Sequence, residues 1–122
     1  MSPRKALHVS GAPLRGALLA SLVLTTVANA TPPATKSAQP RMYIVTIEGL
    51  AFKPASLSVQ RGDRIRWINQ DLFPHSATAA GGLFDSKAIQ ASGSWTWVAQ
   101  KPGTIDYVCS FHPMMKGTLT VR

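Results

Sequence analysis

From residue 42 onward, apolar and polar positions alternate over short segments that are separated by turn-forming residues. The clearest example is Arg64–Asn69, where Ile65 and Trp67 fall on one face and two arginines fall on the other. A period of two residues is typical of a β-strand with one buried face, because successive side chains point to opposite sides. We therefore predict a strand here, with Ile65 and Trp67 in the core.

The same alternation predicts seven or eight short strands over the rest of this region. They are residues 43–47, 57–59, 64–69, 75–78, 95–98, 103–109 and 118–121, with a weaker, irregular segment at 83–85. Turn signals rich in Gly and Pro separate them, and no segment has a helical period of useful length. The pattern favours an all-β fold, a sandwich or a barrel.

The start of the chain shows a different pattern. Arg4, Lys5 and Arg15 give a basic beginning, an apolar run follows at residues 17–24, and residues 28–30 read Ala-Asn-Ala. This is the layout of a secretory signal peptide with a small-x-small cleavage site. The apolar run is shorter than the roughly 20 residues that span a bilayer.

We therefore predict three parts of the chain. Residues 1–30 form a Sec-type signal peptide, residues 31–41 form a flexible leader rich in Pro, Thr and Ser, and residues 42–122 form one domain. The alternative for the first part is an N-terminal anchor that is not cleaved.

The charge of the chain excludes few classes of binding partner. The formal net charge is +8, but the basic residues are scattered and form neither a dense run nor a nucleic-acid-binding motif. A basic exported protein could face anionic lipid, nucleic acid or an acidic protein. We expect no nucleic-acid binding, no stable membrane association, and basic side chains that are mostly solvated.

The cysteine count is more informative. Cys109 is the single cysteine of the chain, so an internal disulfide cannot form. A single cysteine in an exported chain requires an explanation, which could be intermolecular pairing, a reactive thiol or a metal.

Cys109 belongs to a group of residues with the spacing of metal ligands. Cys109, His112 and Met115 fit the pattern C-x2-H-x2-M, and His75 lies upstream after a Phe-Pro pair. Two imidazoles, one thiolate and a weak axial thioether are the ligands of a type 1 blue-copper centre. Each residue alone could be an ordinary core or surface residue, but their joint spacing favours a metal site.

Other metal groups fit this set less well. Zinc accepts Cys and His and is the main competitor, although a thioether is a poor zinc ligand and the usual C-x2-C pairs are absent. A dinuclear copper centre would need a second cysteine, and a c-type haem would need C-x-x-C-H.

With these residues identified, residues 107–121 resemble the cupredoxins, the blue copper proteins, and the short ligand loop is similar to those of amicyanins and plastocyanins. The resemblance covers about residues 42–122, and it is carried also by residues 52–54, 57–59, 62–63, 67–69 and 73–75. It implies a Greek-key β-sandwich of about eight strands, with one type 1 copper ion at one end and one-electron transfer in the periplasm.

The resemblance also implies roles for individual residues. His75, Cys109 and His112 would be equatorial ligands, Met115 would be the axial ligand, and Met114 would face outward. One position departs from the family, because many cupredoxins have Asn directly after the first histidine and this chain has Ser76. We expect Ser76 to keep its backbone bond to the sulfur, but to reach the ligand loop less well with its shorter side chain.

The sequence therefore predicts an electron carrier and not an enzyme, since a copper enzyme would need a second site with more imidazoles. His112, within an apolar loop that includes Phe111, Pro113 and Met114, would be the electron port. Scattered Lys and Arg around it would favour an acidic partner. Expected partners are transient redox proteins, of the dehydrogenase or cytochrome type, that meet a monomer. The alternative function is copper delivery or buffering.

Overall fold

A computed structural model describes residues 9–17, 21–31 and 38–122. The chain divides into two units, Met1–Thr35 and Lys36–Arg122, and the described residues of the first unit are exposed and form no helix or strand. Parts of the predicted signal peptide and leader, at 1–8, 18–20 and 32–37, lie outside the described residues. Within the described ranges, no helix has the length and apolar character needed to cross a membrane.

The second unit is built almost entirely of strands, as the alternating pattern predicts. Its elements are β1 (Met42–Ile47), β2 (Phe52–Lys53), β3 (Ser56–Val59), β4 (Arg64–Asn69), β5 (Thr78–Ala79), a 3-10 turn (Ala80–Gly82), β6 (Ser94–Val98), β7 (Gly103–Val108) and β8 (Lys116–Val121). The prediction of an all-β fold with about eight strands is confirmed.

The strands form two four-stranded sheets, with the orders β2-β1-β4-β6 and β3-β8-β7-β5. The pairs β1–β4 and β3–β8 are parallel, and the other pairs are antiparallel. This arrangement defines two ends of the domain. At the upper end, β1, β4 and β7 finish and β8 begins; at the lower end, β1 and β4 begin and β3 and β8 finish.

Alternate side chains of the strands form the core between the sheets. Trp67 of β4 is fully buried, and its ring meets that of Tyr107 on β7 edge to face, with 5.6 Å between the centroids. Ile105, Tyr107 and Cys109 are all buried on the same side of β7. The Cys109 side chain therefore points inward, next to the core residues of β7.

Two segments differ from the predicted strands because tertiary pairing determines them. The predicted strand at 75–78 is shorter, since β5 contains only Thr78 and Ala79, and His75 forms an isolated bridge with Ile89. Residues 52–53, which were not among the predicted strands, form β2 because the chain folds back antiparallel onto the end of β1.

Gly117 has a packing role in β8. It is the second residue of this strand and pairs with Tyr107. A Cβ atom on Gly117 would overlap the Tyr107 ring, with Cζ and the hydroxyl oxygen closest and Cε1 at 2.6 Å. Only glycine leaves room for the ring at this position.

Asp63 fastens the turn between β3 and β4 at the lower end. Its Oδ1 accepts the backbone N–H of Arg41 at 2.8 Å, its Oδ2 accepts that of Gln60 at 2.8 Å, and it is 3 % exposed. The Arg41 bond first, and then the Gln60 bond, hold the pKa of this carboxyl below its usual value against the opposing effect of burial.

We expect Asp63→Asn to lower the free energy of unfolding by about 2 kcal/mol at pH 7, because an amide cannot accept both N–H groups. A carboxyl whose pKa is lower in the folded state stabilises the fold above its unfolded pKa, and this stabilisation is lost as the pH falls. The difference from wild type should therefore shrink below pH 3.8. Urea unfolding at several pH values measures it, and Asp106→Asn, at an exposed position, is the control that should show little change. A difference that does not depend on pH would contradict this role.

Candidate metal centre

Three of the predicted ligands converge at the upper end of the domain. One donor atom each from His75, Cys109 and His112 can be chosen so that all lie within 4.8 Å of one another. Cys109 Sγ is 3.6 Å from Nδ1 of His75 and 3.8 Å from Nδ1 of His112. His75 and Cys109 are fully buried, while His112 is partly exposed.

The loop between β7 and β8 is held by its own backbone. The N–H of His112 donates to the carbonyl of Cys109 at 3.2 Å, and the N–H of Met115 donates to that of His112 at 2.9 Å. The N–H of Cys109 closes the loop on the Met115 carbonyl at 3.1 Å. Met115 is 3 % exposed and lies close to the other three side chains, whereas Met114 is 91 % exposed, as predicted.

Asp71 orients the ring of His75. Its Oδ2 is 2.8 Å from Nε2 of His75, and the carboxylate also accepts the backbone N–H groups of Leu50 and Gly49. The Leu50 bond is the largest cause that lowers the Asp71 pKa below its usual value, so the group is ionised at neutral pH. An ionised carboxylate can only accept, so Nε2 carries the proton of this bond and Nδ1 is the ring nitrogen that faces Cys109.

Asn69 holds the loop that delivers His75. Its side-chain amide, fully buried at the end of β4, donates to the carbonyl of Phe73 at 2.8 Å and to that of Ile89 at 2.9 Å. Its Oδ1 accepts the N–H of Asp71 at 3.0 Å. Neither Asn69 nor Asp71 was predicted as part of the site, and the sequence signal available was only their position before His75.

Ser76 contacts both the ligand sulfur, through its backbone N–H, and the ligand loop, through its hydroxyl. Its N–H donates to Cys109 Sγ at 3.3 Å, as expected. Its hydroxyl accepts the N–H of Ser110 at 2.8 Å and also contacts the hydroxyls of Ser110 and Thr78. The expected lack of reach is therefore wrong, because the ligand loop comes close enough for a serine to hold it.

We expect Ser76→Ala to lower the free energy of unfolding by about 1–2 kcal/mol, because the Ser110 N–H loses its acceptor. Ser110→Ala is the matched control, since it keeps that N–H bond and removes only a contact between hydroxyls, and it should cost less. Urea unfolding of the metal-free protein measures both values. Both variants should keep the visible spectrum of the copper form, because the Ser76 N–H still faces the sulfur.

Several apolar side chains are exposed at the same end of the domain as the partly exposed ring of His112. They are Leu50, Leu72, Phe73, Phe111 and Met114, and we call them the apolar surface. They come from three loops, and Asp71 ties two of these together through its bonds to Gly49 and Leu50. The residues expected around the electron port are thus exposed and not packed beneath the loop.

Scattered Lys and Arg were expected around this surface, but two of the cations at the upper end are paired with carboxylates. Lys53 forms an ion pair with Glu48 at 3.1 Å, and Lys87 forms one with Asp85 at 2.9 Å. In the part of the chain that the structure describes, Lys116 is the one cation of the upper end without a carboxylate partner. Most of the unpaired arginines lie at the lower end, because the parallel strand pairs bring them there.

The donor set fits copper. A buried thiol with a backbone N–H directed at its sulfur, together with two imidazole Nδ1 atoms, suits a borderline or soft ion. Zinc also binds Cys and His, but the inward thioether of Met115 suits copper better. Such a cluster at one end of two packed β-sheets defines the class of small blue copper proteins.

Comparison with known proteins agrees with this class. The family described as "Cupredoxin-like domain" matches residues 17–121, and the chain belongs to this family. Amicyanin from Paracoccus denitrificans is 26 % identical over 102 residues, which cover 80 % of this chain and 78 % of that protein. Plastocyanin from Nostoc punctiforme is 32 % identical over an alignment 133 residues long, gaps included, that covers 91 % of this chain and 96 % of that protein.

Solved structures show the same likeness. The Cu(I) form of an amicyanin mutant has a TM-score of 0.64 and 27 % identity, covering 71 % of this chain and 87 % of that one. A purple cupredoxin from Nitrosopumilus maritimus has a TM-score of 0.63 and 26 % identity, and the match covers 66 % of this chain and 99 % of that one. Amicyanins and plastocyanins are electron-transfer cupredoxins with one type 1 copper, not enzymes, which agrees with the predicted class and cofactor.

Proposed function

We propose that this protein is an exported blue copper protein that carries single electrons between redox partners in the periplasm. One copper ion would be held by His75, Cys109 and His112, with Met115 as the fourth and weaker ligand. The observation that carries the proposal is the convergence of two imidazole nitrogens and one thiol within 4.8 Å. When bound, copper would supply a Cu(II)/Cu(I) couple, which exchanges one electron at a time.

The residues around the donors favour such a role. Asp71 fixes the ring and the tautomer of His75, and the Ser76 N–H fixes the sulfur. A site whose donors are held by neighbours changes little between oxidation states, and this keeps the cost of electron transfer low. His112 is the one donor with solvent exposure, so its ring would be the route to a partner.

The surface around His112 suits brief contacts. It is small and apolar, and the charges near it are largely paired within the protein itself. Small interfaces are typical of redox encounters that must dissociate quickly. We expect association with a dehydrogenase or a cytochrome, by a monomer of this protein, to depend only weakly on salt, since few free charges lie beside the port.

Electrochemistry of the copper-loaded protein tests this proposal against copper delivery or buffering. A carrier should accept and return one electron reversibly and keep its metal in both states. Loss of copper to a chelator on reduction or oxidation, with no reversible wave, would support delivery or buffering and would contradict the carrier role.

We expect Met114→Lys to slow electron self-exchange by about tenfold, because two like charges would face each other when two copies meet through their apolar surfaces. Nuclear magnetic resonance line broadening in mixtures of the oxidised and reduced protein measures this rate. Val98→Lys is the matched control, since Val98 is an exposed apolar residue at the lower end (39 %). Equal slowing in the two variants would show that the surface around His112 is not the port.

A further inference from the structure

The lower end of the domain collects most of the positive charge of residues 38–122. Arg64 begins β4, and Lys101 lies in the turn between β6 and β7. Backbone hydrogen bonds bring three more basic residues to this end. The N–H of Arg64 donates to the carbonyl of Arg41 at 2.8 Å, and the N–H of Arg61 donates to the carbonyl of Arg122 at 2.9 Å. All five of these side chains are exposed. We call them the basic end.

The charge of the basic end is not neutralised within the protein. Asp63 is the single acidic residue there, and its carboxylate, which attracts Arg41, offsets only one of the five positive charges. Among the residues that the structure describes, Lys and Arg form ion pairs only at the upper end, Lys53 with Glu48 and Lys87 with Asp85. The domain is therefore polarised, with excess positive charge opposite the candidate metal centre.

The basic end also has a concave part. A cavity of about 410 Å³ is lined by Arg41, Arg61 and Arg122, together with Gln60, Asp63 and residues 38–39. Guanidinium groups present several N–H donors in a planar fork that matches the oxygens of a phosphate group. Three arginines around one indentation are thus suited to anionic phosphate headgroups.

We propose that the basic end docks reversibly on an anionic phospholipid surface. The two ends of the domain are about 20 Å apart, which is the length of a six-residue strand. A redox partner at the basic end would therefore be farther from the metal centre than one at His112. Docking by this end leaves the apolar surface around His112 facing away from the lipid.

Vesicle co-sedimentation of the exported protein, without the predicted signal peptide (residues 1–30), tests the proposal. The vesicles contain phosphatidylglycerol and phosphatidylcholine, and vesicles of pure phosphatidylcholine are the comparison. Binding is measured at about 0.05 M and at about 0.5 M salt, below and above the physiological ionic strength. Arg61→Gln/Arg64→Gln should weaken binding to the anionic vesicles about fivefold for each charge removed. High salt should release the wild type.

Lys87→Gln/Lys116→Gln is the matched control, since it also removes two positive charges but at the upper end, and it should weaken binding much less. Circular dichroism verifies that each variant is folded. Equal losses in the two double variants, or equal binding to neutral vesicles, would overturn the proposal. Lipid binding needs no copper, so the metal-free and copper-loaded forms should bind alike, and a failure of the electron-carrier role would leave this result unchanged.

Discussion

A Cys109→Ser variant is expected to bind Cu(II) without any of the intense blue absorption and narrow copper hyperfine splitting of a type 1 site. The hydroxyl of serine cannot replace the thiolate, whose bond to copper defines this class of centre. Serine is close in size to cysteine, so the buried position next to the Ser76 N–H should still be filled. Visible and electron paramagnetic resonance spectra of the protein titrated with Cu(II) measure the change.

His112→Gly is the informative companion variant. His112 is partly exposed at the surface, so its removal opens a path by which added imidazole can reach the site. We expect the blue colour to return with imidazole in this variant but not in Cys109→Ser. A blue Cys109→Ser variant would refute the ligand assignment, and a colourless wild type would favour a zinc site or a delivery role.

Gly117→Ala is expected to destabilise the domain by about 3 kcal/mol, since the new Cβ would overlap the buried Tyr107 ring and force β7 and β8 apart. These two strands flank the ligand loop, so the blue spectrum should also change. Urea unfolding of the metal-free protein measures the stability.

A double-mutant cycle separates this overlap from other causes. In a Tyr107→Leu background, where the aromatic ring is gone, Gly117→Ala should cost much less than in the wild type. Burial raises the pKa of Tyr107 to about 12, so the phenol is neutral and the cycle should give the same coupling throughout the neutral pH range. An equal cost in both backgrounds would show that the Tyr107 ring is not the obstacle.

The features that were predicted well are those determined by nearby residues. Alternation within a strand decides which side chains are buried, so Ile65 and Trp67 could be placed in the core from local pattern alone. Cys109 and His112 lie within one loop, so their spacing already indicated a shared site.

The features that were not predicted depend on which strands pair. Arg41, Arg64 and Arg122 are scattered in the sequence and meet only because β1–β4 and β3–β8 are parallel. Asp71 reaches His75 because backbone groups of the loop after β1 hold its carboxylate in place. No local pattern encodes such pairings, so both the basic end and the support of His75 required the structure.

The position of β8 has a consequence for the order in which the protein assembles. In its sheet, β3 pairs with β8 and with no other described strand. The ligand loop lies between β7 and β8, so its C-terminal end is held in place only when β8 pairs with β7. Because a chain is synthesised from its N-terminus, β8 becomes available only after the seven strands that precede it. The donor cluster can therefore mature only after the rest of the sandwich is present. Until then, the Cys109 thiol is exposed to oxidants and to any free metal ion.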